Sequence, residues 1–327
     1  MRYRTLGKTG IRVSEVGFGA WGIGGEWGPK DDAQALASLR HALDRGVTFL
    51  DTAAVYGDGH SETLIGQAVA GRRDQVVIAS KIPPKTFKWP VLPRDRARDT
   101  FPSSWVVEQT EQSLRRLRTD YLDLQQFHAW TPAYTHEIDW LAGVERLKRE
   151  GKIRAWGVSA NDWDPYGTTG LVESGMVDAV QVIYNIFEQR PREQLLPAAA
   201  KHNVGIIVRV PFEEGLLTGE MGPNYAFAPG DWRKDWLTPE RLTEAKRRTD
   251  ALRPFLDTAD TPTLASLALK FCLAEPVVST VIPGMRRLRN VDANVEASNS
   301  RPLDAGTVSR LGEHQFVHGW AYPWAQD

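Results

Sequence analysis

The stretch Gly17-Phe18-Gly19-Ala20-Trp21-Gly22-Ile23-Gly24-Gly25-Glu26-Trp27-Gly28-Pro29 decides how this chain is read. Its first six residues fit the G-x-G-x-x-G spacing of a dinucleotide-binding open sheet. That spacing has meaning only when a helix starts inside the glycines and offers its N-terminus to a pyrophosphate. Here Gly24, Gly25, Gly28 and Pro29 follow at once, and such a run cannot supply the first turns of a helix. The stretch reads instead as a loop leaving a strand and lying over the mouth of a barrel. A doubly wound open sheet becomes the second choice.

Outward from this loop, short apolar, β-branched runs recur at 13–18, 47–50, 75–80, 121–125, 153–158, 177–183, 204–208 and 277–282. Segments with helical spacing separate them. In the first, Asp31 and Asp32 can cap the N-terminus, Leu36, Leu39 and Leu43 recur at i, i+3 and i+7, and Gly46 ends the helix. Further helices are expected from Ser61, over 104–117, 135–149, 191–202, 238–255, 262–273 and 287–297. Strand and helix alternate almost throughout, which predicts a parallel sheet covered by helices, and eight βα units predict an α/β fold of the (β/α)8 TIM barrel type. No linker-like tract divides the chain, so a single domain over 1–327 is expected, with long βα loops at 82–103 and 211–237 around the catalytic mouth.

Composition narrows the function. The 327 residues carry 40 basic and 41 acidic side chains, a net charge of -1 that disfavours nucleic acid or an anionic membrane as partner. The single cysteine, Cys272, cannot form an internal disulfide, and the start Met1-Arg2-Tyr3-Arg4 has no apolar signal core, so a cytoplasmic protein is expected. No histidine pair has zinc spacing, and no metal site is predicted. Twelve tryptophans are present. Trp21 and Trp130, which follow the first and fourth strands, are expected to wall a substrate site, with Glu26, Trp27, Asp231 and Arg233 close by on loops.

Barrels place reactive groups at the C-terminal ends of strands. The second strand ends at Asp51, with Tyr56 five residues on; the third ends at Lys81 and the fourth at His128. Singly, each has a plain structural role, as ion pair, loop aromatic or core histidine. Together they form a proton-donating device. A phenol is a poor acid at neutral pH, an adjacent ammonium makes it a better one, a carboxylate keeps that ammonium charged, and an imidazole can orient a carbonyl oxygen.

The same residues give the chain its resemblance. Val16-Gly17-Phe18-Gly19, Phe49-Leu50-Asp51-Thr52-Ala53 with Tyr56-Gly57, Ser80-Lys81, Ser113-Leu114-Arg115-Arg116-Leu117, Gly157-Val158-Ser159, Gly215-Leu216-Leu217-Thr218-Gly219 and Ile282-Pro283-Gly284 resemble the aldo-keto reductase family, and its bacterial branch most. The resemblance implies carbonyl reduction with NADPH, NADH being the second choice, on a small aldehyde or ketone, with Asp51, Tyr56, Lys81 and His128 as catalytic tetrad. It also implies cofactor contacts. Ser159, Asn161 and Gln181 would hold the nicotinamide carboxamide, although Ala160 separates the first two where relatives have Ser-Asn. Trp21, Asp51, Arg209, Pro211, Phe212, Gly215, Leu216 and Ile282 would line the nicotinamide and pyrophosphate. Gly284, Arg286, Asn290 and Asn294 would take the adenine and 2'-phosphate. Asn290 stands where many relatives have arginine, so positive charge there rests on Arg286, Arg287 and Arg289. Two other functions fit parts of the pattern: a reductase-like NADP(H)-binding regulatory subunit, and a Schiff-base aldolase using Lys81, which the Asp51 pairing disfavours.

Overall fold

The computed structural model describes residues 1–25, 30–162 and 164–324. Glu26 and Trp27, expected at the mouth, therefore lie outside the described residues. An antiparallel hairpin, β1 (Tyr3–Thr5) and β2 (Arg12–Ser14), precedes eight parallel strands: β3 (Phe18–Gly19), β4 (Phe49–Asp51), β5 (Val77–Ile82), β6 (Leu122–Phe127), β7 (Ile153–Ser159), β8 (Ala179–Ile183), β9 (Gly205–Arg209) and β10 (Val278–Val281). They pair in sequence order from β3 to β10. Parallel bridges Val16–Val281 and Gly19–Gly284 then bring the last strand beside the first, with Gly17 N donating to the Val281 carbonyl at 2.8 Å.

Strand periodicity sorts the side chains. Phe49, Val77, Ala79, Leu124, Ala155, Ala179 and Ile207 pack together inside the curled sheet, and Leu6, Ile11 and Val13 of the hairpin plug its N-terminal end. The alternate residues Leu50, Ile78, Phe127, Trp156, Val158, Val180 and Val208 face outward into a larger apolar layer shared with the helices. That split corrects the expected first strand. The 13–18 run is two elements, because Val13 belongs to the plugging hairpin and only Phe18–Gly19 joins the sheet.

The first large helix, Asp32–Asp44, follows the sequence closely: Asp31 Oδ1 accepts from Gln34 N at 2.9 Å, and Gly46 turns the chain at φ 86°. Other boundaries move. The helix expected at 135–149 starts only at Leu141, after a 3-10 turn at Pro132–Thr135. A short helix, Thr169–Glu173, lies in a glycine-rich segment with no apolar period to announce it. The glycine stretch that opened the reading does contain one helical turn, Trp21–Gly24, contrary to the loop expected there. Gly25 stops it at φ 112° and no side chain caps it, so it is far shorter than a pyrophosphate-binding helix. Among the described residues, no helix is long and apolar enough to cross a membrane.

The largest correction concerns Trp130. Beyond His128 the chain folds back over the outer faces of β6 and β7, and Trp130 is 1% exposed, edge-on to Tyr134 (5.6 Å) and Trp140 (5.8 Å) and beside Trp156 (6.1 Å). Trp140 and Trp156 stack at 4.5 Å beneath it. This residue is core packing and not substrate wall. Trp130→Ala should therefore cost about 3–5 kcal/mol of stability in urea unfolding, as buried aromatic deletions do; a loss below about 1 kcal/mol, typical of surface changes, would contradict this placement.

Candidate active site

The inward-facing positions turn polar at the C-terminal ends of the strands. Two residues beyond Phe49 stands Asp51, two beyond Ala79 stands Lys81, and two and four beyond Leu124 stand Gln126 and His128. Gln181 follows Ala179, and Arg209 follows Ile207, by the same step. Parallel pairing of Asp51 with Ala79 and of Lys81 with Gln126 gathers them at one level.

Asp51 and Lys81 are 2% and 0% exposed, and Lys81 Nζ donates to Asp51 Oδ1 at 2.5 Å, to the Thr52 carbonyl at 2.9 Å and to Tyr56 Oη at 3.2 Å. All three ammonium protons thus have acceptors, as a buried cation requires. Burial alone would lower the Lys81 pKa, but Asp51 and Tyr56 outweigh it and the pKa is raised. Tyr56 shows the opposite balance to the one the sequence suggested. Burial raises its pKa more than Lys81 lowers it, Asp51 adds to the rise, and the phenol is a weaker acid than free tyrosine. His128 lies with its ring edge-on to Tyr56 at 5.7 Å, and burial, Lys81 and Arg209 hold its pKa well below the ordinary histidine value. It is a neutral imidazole next to a protonated phenol.

The loop that carries Tyr56 is fixed by close backbone approach. Gly57 adopts φ 61°, and a Cβ there would stand 2.3 Å from the Gly24 carbonyl oxygen, so the turn at Trp21–Gly24 and the Tyr56 loop are pressed together. Behind it, Thr52 Oγ1 donates to Ser61 Oγ, which donates to the Ala20 carbonyl. Glu62 accepts from Ser80 and from Arg116, tying the helix His60–Ala68 to the strand of Lys81.

The other expected residues fall into two groups. Gln181 is brought to the tetrad, its Nε2 donating to Asp51 Oδ2 at 2.8 Å. Ser159 is buried at the end of β7 beside it, paired in register with Gln181. Asn161 points elsewhere: its Nδ2 donates to the Val91 carbonyl at 2.8 Å. Arg209 Nη2 reaches Asp162 at 2.7 Å and the Ala160 carbonyl at 3.0 Å. Pro211 and Leu216 are buried, Phe212 and Gly215 partly so, in a segment where Val210, Glu213 and Glu214 all take left-handed backbone. Ile282 and Asn294 are buried, Arg286 and Asn290 partly so, and Gly284 is exposed with open space where a Cβ would stand. Arg286 approaches Gly22, and the helix Leu288–Asn299 begins with no side-chain cap.

A polar group fits here. Arg209 Nε and Asn294 Nδ2 are buried donors without a hydrogen-bond partner among the described residues, and buried donors normally have one. Together with the uncapped helix start and the arginines at 286, 287 and 289, they suit an anionic, amide-bearing molecule such as a nicotinamide dinucleotide.

Several contacts escaped sequence reading. Gln126 meets Asp51, and Trp89 meets His128 edge-on at 5.8 Å. The C-terminal segment returns to the mouth: Trp324 Nε1 donates to Asp162 at 3.2 Å and its ring stands 6.0 Å from Trp21, which itself lies 6.3 Å from Tyr56. Gln126 was recoverable from parity with His128; the tail contacts had no local signal.

The Aldo/keto reductase family profile matches residues 15–315. Aldo-keto reductase YhdN of Bacillus subtilis is 33% identical over 302 residues, covering 90% of this chain and 87% of that protein. The NADH-specific methylglyoxal reductase of Escherichia coli is 30% identical over 320 residues, covering 93% and 96%. Among solved structures, the holo form of aldo-keto reductase AKR11C1 from Bacillus halodurans superposes with a TM-score of 0.76 at 29% identity, over 98% of this chain and 99% of that one.

Proposed function

The chain belongs to the aldo/keto reductase family of oxidoreductases, and from that premise we propose that it reduces an aldehyde or ketone with NADPH, Tyr56 being the proton donor. The observation that carries this reading is the buried chain Asp51–Lys81–Tyr56 with neutral His128 at the ring edge. We read residues 1–327 as one domain, with the long βα segments as the mouth, and the protein as cytoplasmic. When bound, the cofactor supplies hydride to the carbonyl carbon. The carbonyl oxygen sits between Tyr56 Oη and the imidazole of His128, which orients it by a hydrogen bond. As negative charge develops on that oxygen, Tyr56 gives up its proton. Lys81 stabilises the phenolate left behind, and Asp51 keeps Lys81 charged throughout. The raised pKa of Tyr56 keeps the proton on the phenol until that moment.

Ser159 and Gln181 are the residues for the carboxamide, and Asn161, which gives one amide hydrogen to the Val91 carbonyl, keeps its oxygen and second hydrogen for it. Asn294, Gly284 and the helix start suit the adenine and phosphate end. Arg286 is the main reason to choose NADPH over NADH. It stands half-buried near Gly22, whereas Arg287 and Arg289 are exposed, and an arginine fork binds a 2'-phosphate through charge-assisted bonds. The Escherichia coli relative is NADH-specific, so this choice rests on Arg286 itself.

Tyr56→Phe should lower kcat for 4-nitrobenzaldehyde by about 10²–10⁴, the usual worth of a positioned general acid, while NADPH binding stays unchanged. Near-normal turnover in that variant would remove Tyr56 from the role, and absence of turnover by the parent protein on a broad aldehyde panel would favour the regulatory-subunit reading. Arg286→Ala should weaken NADPH binding by about 1.5–3 kcal/mol and leave NADH binding nearly untouched. Tryptophan-fluorescence titration with both cofactors checks this; equal losses, or a parent preference for NADH, would overturn the NADPH assignment.

A further inference from the structure

Gly157 lies on the inner face of β7, in register with Gln126 on β6 and Ala179 on β8, and Gln181 is the next inward-facing residue of β8 after Ala179. A Cβ at Gly157 would stand 2.7 Å from the Ala179 carbonyl oxygen and 3.3 Å from Gln126 Cγ. The missing side chain is what lets two amides from strands on either side of β7 meet across it. Gln181 Nε2 donates to Gln126 Oε1 at 3.4 Å and to Asp51 Oδ2 at 2.8 Å, and Gln126 Nε2 approaches the same Asp51 oxygen at 3.4 Å. Gln126 and Gln181 are 0% and 1% exposed. The two oxygens of Asp51 are therefore divided: Oδ1 serves Lys81, and Oδ2 serves the amide pair.

We propose that Gln126 is a positioning residue for the reduction, holding Asp51 and Gln181 in one buried hydrogen-bonded chain that runs from the nicotinamide-binding amide to Tyr56. The inference rests on the reading given under Proposed function. Gln126 is bonded to neither Tyr56 nor Lys81, and it acts through Asp51. Its N–H offsets part of the charge on Oδ2, and that charge opposes ionisation of Tyr56. Its carbonyl accepts from Gln181 Nε2 and holds that amide group toward Asp51. The atom Gln181 then has left for a carboxamide N–H is its own Oε1. Cofactor recognition and proton donation thereby share one amide.

Two variants test this with NADPH and 4-nitrobenzaldehyde. Gln126→Met fills the space but removes both hydrogen bonds. Gln126→Glu keeps the shape and the acceptor toward Gln181; buried against the ionised Asp51 its carboxyl takes up a proton, so that it still donates to Asp51 and serves as the conservative rescue. The methionine variant should lower kcat by about tenfold or more, the value of a lost hydrogen bond to a charged group, and raise the NADPH dissociation constant severalfold because the Gln181 amide loses its partner, while the glutamate variant should recover much of both. With the Asp51 charge less offset, Tyr56 holds its proton more tightly, so the alkaline limb of the kcat profile should move to higher pH by roughly half a unit in the methionine variant and return toward the parent position in the glutamate variant. A packing role would lower thermal stability and leave that limb in place. Should the glutamate variant not fold, the near-isosteric methionine variant carries the readout by itself. An alkaline limb of the methionine variant that coincides with the parent overturns the proposal. Failure of the underlying reading looks different: Tyr56→Phe would then keep its turnover whatever the Gln126 variants do.

Discussion

Two opposite charges sit side by side inside the curled sheet, and the site is built around keeping them there. Asp51 and Lys81 come from adjacent strands, both on the inner face, both nearly inaccessible to solvent. Removing two ions from water costs several kcal/mol each, and attraction between them offsets this only when their remaining hydrogen-bonding capacity is also met. The structure meets it. Lys81 spends its protons on Asp51, the Thr52 carbonyl and Tyr56, and Asp51 places its second oxygen against Gln181 and Gln126. Tyr56 and His128 take their character from burial and from this pair together. The phenol is held beside a cation it cannot move away from, and burial, with Lys81 and Arg209 adding to it, keeps the imidazole neutral.

A second set of contacts gathers around Arg209. Its partner Asp162 also accepts from Trp324, so one carboxylate joins the end of β9 to the C-terminal segment. Nearby, Glu213 pairs with His318, and Tyr322 donates to Glu214, whose pKa burial and the neighbouring Glu213 push up to about 7. The left-handed backbone at Glu213 and Glu214 is thus held by distant residues of the tail, and the Val210 carbonyl by Asn185, as strained conformations must be. Trp21, Trp232, Tyr322 and Trp324 pack on one another with centroids 4.7–6.0 Å apart, bringing three separate stretches of chain to the same mouth.

What could be read in advance follows from which signals are local. Period two along each strand fixes which side chains point inward, so Asp51, Lys81 and His128 were legible as strand-end residues, and Tyr56 by its distance from Asp51. The parallel eight-stranded sheet followed from alternation of short β-branched runs with capped helices such as Asp32–Asp44. Trp130 was misplaced because strand parity ends at His128, and a chain beyond the last strand residue can fold either way. The first strand was misread because Val13 and Phe18 are both apolar, although one plugs the sheet and the other belongs to it. The tail at 316–324 gave no local sign of its partners, which range from Trp232 and Trp236 to Asp162 and Trp21. The direction of the Tyr56 pKa escaped for a related reason: the neighbouring lysine is visible in the sequence, but the burial that outweighs it is a property of the assembled site.

Burial beside the Asp51–Lys81 pair keeps Tyr56 a firmly protonated phenol in spite of the Lys81 ammonium. Carbon-13 NMR of the cofactor-free protein labelled at the tyrosine ζ carbon, with Tyr56→Phe to assign the resonance, reads that proton directly as pH is raised. Tyr56 is predicted to remain a phenol beyond the ordinary tyrosine value of about 10. Ionisation at or below that value would mean that Lys81 outweighs burial, contradicting the account.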